Sequence, residues 1–218
     1  MRNTLILTVT HRGLSDETYE SIIKTDCRSV LKIKGQACID RARSIGFDKA
    51  LQAFRALDDA RNSDPHGPVA DPDNDVLLCV DDDMVFSPHD AQNLVDHCRK
   101  TKHPVSALAV NSHGELTHKP WPSLVRSEAI QTDRYATGLA FMAVPRRPFE
   151  RIAETLPKCG DIRVWCLTGP NPTFPGQWIG EDYAFCQLWA GVHLLPSVQV
   201  GHVKSTVLYP KTMRLNYE

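Results

Sequence analysis

Residues 75–88 read DVLLCVDDDMVFSP, and the rest of the chain is best read outward from them. Val76, Leu77, Leu78, Cys79 and Val80 form an unbroken apolar run of the length that fills a strand buried on both faces. The run ends in three adjacent carboxylates, Asp81, Asp82 and Asp83. In open α/β sheets ligands bind beyond the carboxyl ends of the strands, so a buried strand here delivers its acids to the mouth of a crevice. Adjacent carboxylates repel unless a cation or hydrogen-bond donors offset their charge, which makes a hard divalent ion such as Mg2+ or Mn2+ a natural partner. The competing explanation is a solvated turn with helix-capping aspartates, because Asp is favoured in turns and at helix starts.

Upstream, residues 4–10 are rich in Leu, Ile and Val and predict a first strand. It ends at Thr10 and the polar His11, Arg12 and Gly13, a turn able to hold a nucleotide. Ser15 with Thr18, or Asp16 after it, caps a helix to about Lys24, and residues 29–33 form a second strand, completing a βαβ unit. From residue 36 to about 57, apolar residues at helical spacing predict a helix interrupted near Gly46. Arg41 and Arg43, two apart, point to different faces of it. Residues 62–74 hold Pro, Gly, Asp and Asn without periodicity and read as a loop.

Downstream, Pro88 opens a helix to about Lys100, and residues 105–110 form a strand. A polar loop, 111–122, carries His113, His118 and Trp121; residues 124–130 and 136–144 predict two more strands, and Pro148 begins a helix to Leu156. Residues 161–177, with Trp165 among Gly169, Pro170, Pro172, Pro175 and Gly176, predict a long loop of the lid or binding kind. Residues 180–190 predict a helix with Glu181 and Asp182 in its first turn, where the helix dipole favours carboxylates. A last strand over 192–200, broken by Pro196, runs into Gly201 and His202.

At 218 residues, 42% hydrophobic and 23% charged, the chain predicts one α/β domain over residues 1–218, a mixed, mostly parallel sheet flanked by helices. A formal net charge of -1 supplies no general attraction to phosphate backbones, so nucleic acid is not an expected partner. Seven cysteines without a C-x-x-C pair suit reduced, mostly buried thiols in the cytoplasm. The N-terminal apolar run is too short for a signal peptide, and no run is long enough to span a bilayer.

Three blocks carry a resemblance: VLLCVDDDMVFSP at 76–88, ATGLAFMAVPRRPFERI at 136–152 and GEDYAFCQLWAGVHLLPSVQVGH at 180–202. In order and relative position they resemble the blocks of nucleotide-sugar glycosyltransferases of the GT-A fold, particularly the family-2-like enzymes of bacteria and phages. The resemblance implies a Rossmann-like GT-A domain with a donor-binding half at about 1–110 and an acceptor-side half at about 111–218. It implies metal-dependent transfer of a sugar from a nucleoside diphosphate sugar to a hydroxyl-bearing acceptor. Carried over, Asp81 and Asp83 bind the metal and the donor ribose, Glu181 and Asp182 lie by the acceptor, and His202 is a further metal ligand.

The chemistry is compatible with this. A divalent ion bridging the diphosphate stabilises charge on the leaving group, and a set of carboxylates with one imidazole suits Mn2+ as well as Mg2+. Inverting transfer requires a general base, for which Asp182 is the candidate with Glu181 orienting the acceptor; a retaining enzyme needs no such base. Thr10, Arg12, Arg43, Asp81, Asp82 and Gly138 are donor-binding candidates. The arginines present a fork of donors to phosphate, and Ala42-Arg43 resembles the family's A-R-N segment with Ser44 in place of Asn. Gly138 permits close backbone approach or marks a strand bulge. Trp121 and Trp178 are acceptor-binding candidates that stack on a sugar or are core aromatics. Each acid and His202 also has a plain structural explanation as a helix-start or loop residue.

Two rival functions fit parts of the pattern. LLCVDDDMV also matches the D-x-D-x-V of haloacid-dehalogenase-type phosphatases, with Asp81 as nucleophile and Asp83 as acid, although about eighty residues precede it and GEDYAFC lacks the second downstream Asp expected there. A non-catalytic nucleotide-sugar-binding module is the other.

Overall fold

β1 (Thr4–Thr10) is buried along nearly its whole length because it runs parallel between β2 (Ser29–Lys34) and its other neighbour, β3 (Val76–Asp81). These strands belong to a computed structural model that describes residues 1, 3–10, 13–35, 38–63, 71–109, 130–132, 137–170, 176, 178–189, 192–203 and 207–208. α1 (Asp16–Ile23) joins the first two strands, and the Ser15 side chain caps it by accepting from the Thr18 amide at 3.1 Å. α2 (Ile39–Ser63) follows and lays Phe47, Ala50, Leu51 and Phe54 on the sheet. It continues through Gly46 without the expected interruption. A Cβ on Gly46 would lie 2.9 Å from Leu7 Cδ1, so the glycine lets the helix sit close on β1.

After β3 a two-residue turn leads to β4 (Met84–Val85), then to α3 (Pro88–Thr101), where Ser87 and Asp90 form a capping box with Pro88 at the helix start. β5 (Val105–Leu108) and β6 (Ile130–Thr132) come next, followed by β7 (Phe141–Pro145). β7 begins later than the sequence suggests. Its lead-in is drawn to other elements: the Thr137 hydroxyl lies 3.1 Å from that of Ser106, and the Thr137 carbonyl accepts from Cys186 Sγ. α4 (Arg146–Thr155) starts two residues ahead of Pro148, which occupies the first turn, where an amide hydrogen is not needed. Arg146 is fully buried and ties α4 back to the residue before β3 through Asp75 and to α2 through Asp58, while Glu150 on its own helix is a third partner.

Two short strands, β8 (Lys158–Cys159) and β9 (Ile162–Arg163), form a hairpin, as do β10 (Gly169–Pro170) and β11 (Trp178–Ile179). α5 (Glu181–Gln187) ends before residue 190, because the amides of Leu188 and Trp189 bond three residues back and tighten the last turn. β12 (Val192–Gln199) runs through Pro196 rather than breaking there, and its register against β5 jumps between Leu195 and Gln199. β13 (Gly201–Val203) and β14 (Val207–Leu208) close the described chain.

The main sheet has the order β2-β1-β3-β7-β5-β12-β6, a single mixed α/β architecture. β7 and β6 oppose the other five strands, which share one direction, so the sheet is mixed as expected, but three of its six neighbouring pairs are antiparallel rather than a minority. Side chains alternate across β3 as the pleat requires. Leu77 and Cys79 face a core with α2, α4 and α5, while Val76, Leu78 and Val80 face a second core under α1 and α3. Among the described residues no helix is long and apolar enough to cross a membrane.

The segment expected as a lid is, where described, partly core. Trp165 is fully buried and stacks on Phe149 at 4.3 Å within a cluster that includes Phe47 and Phe185. All seven cysteines are free; Cys79, Cys98, Cys166 and Cys186 are buried, and Cys38 and Cys159 are exposed.

Candidate functional site

The acids sit at the carboxyl ends of the central strands. Asp81 is the last residue of β3, opposite Val9 of β1, and its amide donates to the Ala140 carbonyl at 2.9 Å. Thr10 ends β1 and hydrogen-bonds the Asp82 carboxylate, while the Thr10 hydroxyl accepts from the Gly13 amide at 2.7 Å. Burial pushes the Asp82 carboxyl above its usual range, Thr10 opposes this, and Asp83 and Asp81 add to the rise.

Asp83 belongs to a different neighbourhood. β4 pairs with β13, setting His202 opposite Met84, and the Val203 amide donates to the Asp83 carbonyl at 2.7 Å. His202 Nε2 thereby lies 2.7 Å from Asp83 Oδ2. The small sheet β14-β13-β4 is what brings β13, near the end of the described chain, to the acidic turn.

Arg43, on α2, is only 6% exposed and gathers three carboxylates around one guanidinium. Its Nη2 donates to both Asp81 oxygens at 3.1 and 3.2 Å, and its Nη1 donates to Glu181 Oε1 at 2.9 Å and pairs with Asp182 Oδ1. Burial is the largest influence on Arg43 and by itself lowers its pKa, but Asp81, Glu181 and Cys166 together outweigh it and the net shift is upward. The cation is therefore permanent. Glu181 and Asp182 reach it because α5 begins with them immediately after Gly180.

The sequence-predicted residues thus fall into two groups. Asp83 and His202 form an oxygen and nitrogen donor pair suited to a divalent ion. Asp81 points to Arg43 instead, joining Glu181 and Asp182. Among the described residues no group of three His, Cys, Asp or Glu is arranged to hold a metal ion; Asp83 and His202 are an oxygen and a nitrogen donor that lie together, bonded to each other. Such an ion commonly keeps waters and phosphate oxygens in its remaining positions. Gly138 is half-buried just ahead of Ala140, outside any strand, and so is not a strand bulge. Trp178 is 73% exposed on β11, not a core aromatic. Arg12 and Trp121 lie outside the described residues, as do residues 111–122.

One supporting device went unread in the sequence. Asp40, Ser44 and Asp48 recur every fourth residue and present one polar stripe on α2. Asp40 accepts from the Thr168 amide at 2.8 Å, and Ser44 Oγ from the amides of Trp165 and Cys166 at 3.3 and 3.4 Å. Asp48 accepts from the Arg163 amide at 2.9 Å and from Trp165 Nε1 at 3.1 Å. The stripe binds the extended segment 163–168 along α2 beside Arg43. The signal for it is the i, i+4 spacing of short polar residues, which apolar periodicity does not contain.

No protein-family model matches the chain, and no curated protein matches it. Among solved structures, the one described as the crystal structure of A197 from STIV is similar, with a TM-score of 0.62 at 16% identity over 100% of this chain and 98% of that one. At that identity the likeness concerns the fold alone.

Proposed function

We propose that this chain is a metal-dependent glycosyltransferase of the GT-A type, moving a sugar from a nucleoside diphosphate sugar to a hydroxyl-bearing acceptor. The observation that carries the proposal is the placement, at the strand ends, of the Asp83–His202 pair beside the Asp81, Glu181 and Asp182 cluster held by Arg43. Asp83 and His202 are the residues to hold Mn2+ or Mg2+, which when bound stabilises charge on the departing diphosphate. Thr10 and Asp82 supply polar contacts for the nucleoside. Arg43 offsets the charge of Asp81 and orients Glu181 and Asp182.

In the inverting form of the reaction, Asp182 takes the proton from the acceptor hydroxyl as its oxygen attacks the anomeric carbon. The bond from that carbon to the diphosphate oxygen breaks, and the electron pair leaves with the diphosphate. Glu181 hydrogen-bonds the acceptor. We assign the activity to the cytoplasm on the strength of seven free cysteines. The phosphatase alternative is disfavoured because both oxygens of Asp81, its required nucleophile, accept from Arg43.

Calorimetry of nucleoside diphosphates with and without Mn2+ tests the proposal. Metal-dependent binding that Asp83→Ala removes from a folded protein is the expected result. Equal affinity with and without metal, or in the variant, sinks it.

A further inference from the structure

Three histidines meet at the end of the sheet opposite the acidic turn. The His193 amide donates to the Pro104 carbonyl at 2.8 Å, and β12 runs parallel to β5, so this is the amino end of both strands. His97 Nε2, from α3, lies 3.3 Å from His193 Nδ1, and the His103 ring, just ahead of β5, stacks on that of His193 at 5.2 Å. His193 is 6% exposed, and its Nε2 is buried with no hydrogen-bond partner. A leucine would fill such a place without leaving a polar atom unpaired, so packing alone does not account for the imidazoles. Among the described residues no carboxylate pairs with any of the three. Asp96, next to His97, is exposed and bonded to Gln92 and Arg99. β5, β6 and the rest of β12 carry no charged residue, and the other charge acting on His97 is that of Lys100.

Protons taken up here add like charges at short range, and anchoring decides which element yields. The end of α3 is fixed, since Arg99 Nε donates to the Asn74 carbonyl at 2.9 Å and Lys102 Nζ to the Asp73 carbonyl. β5 is held on its other side by β7. β12 is less secure. Its pairing with β5 covers residues 193–195, breaks across Pro196 and resumes only at Gln199. β6, at the end of the sheet, pairs with Val192, His193 and Leu194 of the same half-strand. We propose that the three imidazoles form an acid-sensitive latch: when protonated they repel one another, and residues 192–195 leave β5 together with β6 while the rest of the sheet stays folded. The register break at Pro196 confines the opening, so β13 and His202 keep their place on β4. The latch is independent of the transferase proposal.

The test is amide hydrogen exchange, read by mass spectrometry on the full chain near neutral pH and two pH units lower, each rate divided by the intrinsic rate at that pH. Burial lowers the His193 pKa to about 4, and His103 and then His97 add to the drop, whereas an opened strand takes up the proton near 6.5. Opening of residues 192–195 therefore rises roughly twentyfold from about pH 7 to about pH 5. At the lower pH, peptides covering residues 192–195 and β6 exchange ahead of those from β1 and β3. His193→Leu removes the rise. His97→Gln, at a half-buried position, reduces it by taking away one repelling ring, and so decides the matter should the leucine variant not fold. Exchange of residues 192–195 in step with β1 and β3 at both pH values means unfolding of the whole molecule and overturns the proposal. So does the absence of a rise, or a rise undiminished in whichever variant folds.

Discussion

Asp83 Oδ2 lies 2.7 Å from His202 Nε2, although 119 residues separate them in the chain. The contact depends on β13 adding to β4, so that the histidine in the middle of β13 meets the turn after β3. If this pair holds the ion, either half alone is a poor site. Asp83→Ala and His202→Ala each weaken Mn2+-dependent binding of a nucleoside diphosphate by at least the roughly 10- to 100-fold typical of lost metal-site partners. Calorimetric titration checks this, and parental affinity in both folded variants returns the pair to a structural role.

Asp182 is separated from that pair in role, since its carboxylate joins Arg43 at the start of α5. Asp182→Asn keeps size and hydrogen bonding but removes the base. Transfer falls by about 10²- to 10⁴-fold while donor affinity stays, and Glu181→Gln costs less. Dissociation constants measured beside single-turnover rates separate the two effects; a parental rate in Asp182→Asn points to retaining chemistry.

Arg43 compensates three carboxylates from a buried position. Arg43→Met leaves them facing one another and costs roughly 3 kcal/mol, the low end for a broken buried pair because the carboxylates keep some contact with water. Arg43→Lys restores only part of this, since an ammonium cannot fork between Asp81 and Glu181. Urea denaturation measures both, and a loss no larger than that of a surface arginine contradicts the hub role.

A second titratable cluster lies where β5 and β12 start. His193, buried on β12, lies 3.3 Å from His97 of α3 and stacks on His103 at 5.2 Å. Burial lowers its pKa to about 4, and His103 and His97 push the same way; His97 is also lowered, by burial and then by Lys100. The unfolded chain takes up this proton near 6.5, the folded one only near 4, so the contribution to stability is complete above 6.5 and is lost as the pH falls toward 4. It amounts to ~3 kcal/mol at most. His193→Leu flattens the dependence of the urea midpoint on pH across that window; an unchanged slope assigns the acid sensitivity elsewhere.

The elements legible in the sequence are those made by near neighbours. The apolar runs of β1 and β3 needed only their composition, α3 only Ser87, Pro88 and Asp90, and the start of α5 only Glu181 and Asp182 after a glycine. The position of Asp81, Asp82 and Asp83 at a buried strand's end follows from the same run. Local pattern failed wherever a distant partner set the outcome. Trp165 left an apparent lid for the core because Asp48 takes its indole N–H and Phe47 and Phe149 surround it. Asp81 and Asp83, two residues apart, went to different partners because strand order brought Arg43 to one and His202 to the other. Capping and periodicity are decided within a turn or two of chain. Which charges meet depends on the order of strands and the seat of α2 on the sheet, and those are set by burying the whole apolar surface at once.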